Sequence, residues 1–101
     1  MVATNHFVRR AVERIGCNVE EATALAEGLV AAIRAGRDDI AAFVSRVDRT
    51  GCRLFRFRSA DGRSFFAMVN TDDMACITVL PAGFTVPRQG KGRLKLRERD
   101  L

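Results

Sequence analysis

The sequence predicts an α+β domain: an N-terminal αα-hairpin packed on one face of an antiparallel β-meander of 4–5 strands. Three observations carry this. Apolar residues recur at helical spacing over the first third of the chain. They alternate with polar ones over much of the remainder. Gly- and Asp-containing turn sequences separate the alternating runs at short intervals.

Residues 5–15 predict the first helix. Phe7, Val8, Ala11, Val12 and Ile15 fall on one stripe, with His6, Arg9, Arg10 and Glu13 opposite. Thr4 or Asn5 can cap its start, and Gly16 suits a left-handed stop. A second helix follows at once, because Asn18 and Glu21 have capping-box spacing. Ala22, Leu25, Ala26, Leu29 and Ile33 form its apolar stripe, and Gly36 ends it. Residues 40–48 are ambiguous. Ile40, Phe43, Val44 and Val47 fit a short third helix, but the turn ending in Gly51 favours a strand over 42–48.

Strands are then expected over 52–58, 63–70 and 75–80, with "FTV" (84–86) as a short edge and "RLKLR" (93–97) as a last strand or a tail. Residues 1–87 make a single domain, and 88–101 a basic C-terminal strand or tail. Alternation places Arg53, Phe55 and Phe57 on one sheet face and Leu54, Arg56 and Arg58 on the other. The Phe-bearing face should lie against the helices. The opposite face is expected to be open, with Arg46 joining Arg56 and Arg58.

The 101 residues carry a formal charge of +5, and 48% are apolar. A packed globule with an anionic partner fits this balance: RNA or another nucleic acid, or an acidic protein. Most of the positive charge is late, in a stretch that includes Arg88, Lys91, Arg93 and Lys95. Three scattered cysteines and one histidine have no metal-site spacing, so neither a metal nor another cofactor is expected. The thiols read as reduced in a cytoplasmic protein, and no apolar run is long enough for a membrane span. The oligomeric expectation is a monomer or a small homo-oligomer.

Several side chains have the chemistry of a nuclease. An imidazole can act as acid or base near neutral pH, which makes His6 a candidate, and Arg10, one turn away, can offset phosphorane charge. Glu13 can orient its neighbours or take a proton, and it is equally an ordinary i,i+3 partner for Arg10. Arg46, Arg56 and Arg58 can grip phosphates, as can Arg88, Lys91, Arg93 and Lys95. Each also has a plainer reading as a solvated charge. The Gly-Lys-Gly stretch lacks P-loop spacing.

The opening "HFVRRAVERIG" (6–16), the helix end "AIRAG" (32–36), the meander and the closing "CITVLP" (76–81) resemble small phage- and plasmid-borne proteins that look like relatives of the RelE-type toxin superfamily of ribonucleases. The resemblance covers about residues 5–83. It implies metal-independent RNA cleavage, with His6, Arg9 or Arg10, and Thr78 at matching positions, and an acidic antitoxin as partner. Tyrosine is absent, which excludes any Tyr-dependent version. A different class fits the same charge pattern: a non-enzymatic inhibitory or regulatory protein, such as an anti-defence protein that docks an acidic defence component.

Overall fold

The structure is a computed structural model, and it describes residues 2–47, 51–87 and 93–96. Helix α1 spans Asn5–Ile15 and α2 spans Val19–Ala35. Strands β1 (Ala42–Arg46), β2 (Cys52–Arg58), β3 (Ser64–Asn70) and β4 (Ala75–Pro81) form an antiparallel sheet in sequence order. Strands β5 (Thr85–Pro87) and β6 (Arg93–Lys95) pair separately as a small antiparallel hairpin. The α+β architecture expected from the sequence is the one found, and within the ambiguous segment Ala42–Arg46 is strand. Among the described residues no helix is long and apolar enough to cross a membrane.

Both helices begin and end where their capping residues dictate. The Thr4 hydroxyl accepts from the Phe7 amide at 3.1 Å, and Gly16 stops α1 at φ +88°. The Asn18 side chain accepts from the Glu21 amide at 2.8 Å, while Glu21 accepts from the Asn18 amide at 3.0 Å. The chain start is tied to the far end of the meander. Ala3 bridges Cys76 in parallel; Thr4 N–H donates to the Cys76 carbonyl, and the Thr4 hydroxyl donates to that of Ile77.

The helices cover one sheet face. Phe7, Ala11, Ala22, Ala26, Leu29 and Val30 pack there with Phe55, Phe57, Phe65, Ala67, Val69 and Val79. Alanines at the helix contacts let the backbones approach the sheet closely, and the phenylalanines fill the space between.

The opposite face is not open, and this corrects the expectation from alternation. Val47, Leu54, Phe66, Leu80 and Leu96 form a second core, with Leu54 and Phe66 both 0% exposed. Leu96 arrives from the C-terminal segment. Its amide donates to the Phe84 carbonyl, and its own carbonyl accepts from Gly83 N–H. The residue that completes this cover therefore lies 42 positions after Leu54, beyond the reach of any local pattern. A second correction concerns Arg46. A bulge between Phe43 and Ser45 shifts the β1 register, so Arg46 pairs with Arg53 on the helix-side face. It does not join Arg56 and Arg58.

Candidate nucleic-acid interface

Strand β2 sets the spacing of the candidate site. Residues two apart in a strand share a face and stand roughly 7 Å apart. Arg56 and Arg58 thus emerge together on the face carrying the second core. Arg56 lies between Ala42 of β1 and Phe66 of β3, and Arg58 lies opposite Ser64.

The two arginines differ in environment. Arg58 is exposed, and its Nη1 donates to the Gly62 carbonyl at 3.3 Å. Arg56 is half-buried. Its Nε is shielded from solvent and has no hydrogen-bond acceptor among the described residues. A buried donor without an acceptor costs about 1–3 kcal/mol, more when charged. Arg groups bind carboxylates and phosphates in forked geometry, so a guanidinium left without an acceptor at Nε is a candidate oxyanion contact. Lys95 is exposed on the segment whose next residue, Leu96, enters the same second core. Arg93 lies on the β6 backbone, whereas Arg88 and Lys91 fall outside the described residues.

Other arginines serve the fold. Arg53 donates to the Thr71 hydroxyl and to the Gly51 carbonyl, holding the β2 entrance against the β3–β4 turn. Arg63 pairs with Asp61 at 2.7 Å, donates to the Ile15 carbonyl at 2.7 Å, and lies 5.3 Å from the Phe65 ring centre. It fastens the end of α1 to the β2–β3 turn. Hydrogen bonds, led by that from Ser59, hold the Asp61 carboxyl below its usual range.

The residues picked out as catalytic divide between two places. His6, Arg10 and Glu13 share one side of α1. His6 is exposed, and Arg10 pairs with Glu13 at 2.7 Å. Thr78 is 8% exposed and pairs with Met68, which pairs in turn with Leu54, so it belongs to the face turned away from the helices. Among the described residues no hydrogen bond joins His6 to Arg10, Glu13 or Thr78.

Sequence reasoning missed Arg14. One turn beyond Arg10, it donates to the Val79 carbonyl and stacks 4.7 Å from the Phe84 ring centre. Burial, followed by the charge of Arg10, pulls its pKa down, and Glu13 partly opposes this. The available signal was positional: at 100° per residue Arg14 falls close to Phe7, on the sheet-facing side of α1.

Among the described residues no group of His, Cys, Asp or Glu has the arrangement to hold a metal ion. The Cys17 thiol is pushed up by burial, and that of Cys76 by burial to about 12. Both are therefore neutral thiols rather than nucleophilic thiolates near neutral pH. A comparison with protein-family models, with curated proteins and with solved structures finds no match to this chain.

Proposed function

We propose that the chain is an RNA-directed basic protein that grips phosphates with Arg56 and Arg58, assisted by Lys95 and the late basic segment. The single observation that carries the reading is the buried, acceptorless Nε of Arg56, two residues from an exposed arginine on the same sheet face. The net charge of +5 supports it. The choice of RNA rests on the resemblance to RelE-type ribonucleases. The proposal stops at binding. Thr78 is buried away from the helices, Glu13 is engaged by Arg10, and among the described residues no hydrogen bond gathers His6 with either.

The test is a salt series with a labelled single-stranded RNA. Wild type should lose affinity steeply as salt rises. The Arg56→Gln/Arg58→Gln variant should bind more weakly, with the log–log slope reduced by about 1.4, or about 0.7 per lost phosphate contact. An unchanged slope in the variant would remove this face from the interface. No RNA binding by wild type would leave an acidic protein as the partner of the basic surface. The same RNA, incubated with chelator, reports cleavage. Cleavage by wild type that is lost in His6→Gln would extend the reading to a metal-independent endoribonuclease.

A further inference from the structure

The two outer edges of the four-stranded sheet are treated differently by the fold. The β4 edge is covered: the Cys76 amide donates to the Val2 carbonyl, Thr4 N–H donates to the Cys76 carbonyl, and Arg14 takes the Val79 carbonyl. The β1 edge has no such cover. Among the described residues no strand pairs with it, and Ile40 and Phe43 are 44% and 54% exposed beside it. Phe43 rests edge-on against Phe55, ring centres 5.9 Å apart, so its ring is held in place while half of it faces solvent. An uncovered edge strand presents unpaired backbone donors and acceptors, and proteins commonly block such edges.

The charges along this edge are self-complementary. At its start Asp38 is exposed and makes no ion pair with a described residue, whereas Asp39 is held by Arg37 at 2.8 Å. At its end Arg46 is exposed, again without an ion pair among the described residues. The bulge after Phe43 brings Arg46 to the same side of the sheet as Phe43. An antiparallel copy reverses the order of these groups, so each end meets its opposite charge.

We propose that β1 pairs antiparallel with β1 of a second copy of this chain, about a two-fold axis at Phe43, joining two four-stranded sheets into one. The two Phe43 rings meet at the axis. Each Arg46 then lies toward the start of the other copy's β1. There Ile40 and Asp38 stand exposed in the turn before β1, so the arginine stem covers Ile40 and its guanidinium approaches Asp38. The interface is isologous and closed, which ends the edge without propagating a fibre. This pairing uses a surface separate from Arg56 and Arg58, and it stands or falls independently of RNA binding.

Light scattering after size exclusion, from micromolar to near-millimolar protein, tests it. Wild type should pass from monomer to dimer as concentration rises. Phe43→Asp sets two carboxylates against each other at the axis and should raise the dissociation constant by about 100-fold or more. Arg46→Asp should weaken the dimer, and adding Asp38→Arg in the same chain should restore it. That charge-swap pair carries the test even if Phe43→Asp unfolds. Wild type that stays monomeric throughout would overturn the proposal. So would a dimer that Phe43→Asp and Arg46→Asp leave undiminished, because its interface would then lie elsewhere.

Discussion

Leu54 and Phe57 stand three residues apart in β2 and point to opposite faces, yet both are buried, at 0% and 2% exposed. The cost of truncation should therefore be similar in kind at the two positions. Phe57→Ala should lose about 3–5 kcal/mol and Leu54→Ala about 2–5 kcal/mol, read from urea midpoints at constant m. A near-silent Leu54→Ala would mean that the second core contributes little. Cys76 offers a titration. Its thiol is 0% exposed, with Sγ 3.8 Å from the Ala26 carbonyl, and burial lifts its pKa from 9.0 to about 12. The folded state thus holds this proton more tightly than the unfolded chain does. Its contribution is intact below pH 9.0 and drains away as pH climbs toward 12, at no more than about 1.4 kcal/mol per pH unit. Urea midpoints at pH 8 and pH 10.5 should accordingly fall more in wild type than in Cys76→Ala. Equal falls would assign alkaline weakening to other groups.

The elements differ in how far the sequence discloses them, and for physical reasons. Helices α1 and α2 are legible because their caps are local: Thr4, Gly16, Asn18 with Glu21, and Gly36 act within a turn of themselves. Strands β2 to β4 are legible because alternation and turn chemistry agree. Residues 40–47 are less so, since Ile40, Phe43, Val44 and Val47 suit either period. Pairing with β2 decides for strand. The bulge leaves no mark on the composition of β1, which is why Arg46 was expected on the wrong face. The site was half legible. Alternation correctly unites Arg56 with Arg58, but a face mixing Leu and Arg reads as solvent-facing. Only the tertiary arrival of Leu96 reveals that one arginine is half-buried there.

At the scale of the whole molecule, the C-terminal segment joins stability to charge. Leu96 is 1% exposed in the second core, while Lys95 beside it is exposed. Removing the chain after Val86 would strip basic residues and at the same time uncover Leu54, Phe66 and Leu80. Such a truncation should lower the melting temperature and raise binding of an apolar dye such as ANS. Replacing the late lysines and arginines by glutamine, with Leu96 kept, should leave both nearly unchanged. A truncated chain as stable as wild type would mean that β5, β6 and Leu96 do not seal this face. The sheet thus has a thick side sealed by helices and a thin side sealed by a few apolar residues, and the proposed phosphate contacts lie on the thin one.

The clasp between residues 2–4 and β4 has a consequence for biosynthesis. A ribosome releases the chain from its first residue onward. The αα-hairpin therefore emerges well before Cys76 and Ile77 exist to receive Val2, Ala3 and Thr4. Until then α1 lacks β4, the strand it packs on most closely, and Phe7 and Ala11 are incompletely covered. The opening helices must wait, partly uncovered, for the last strand of the main sheet. During that interval a nascent chain exposes the surface that a chaperone would hold.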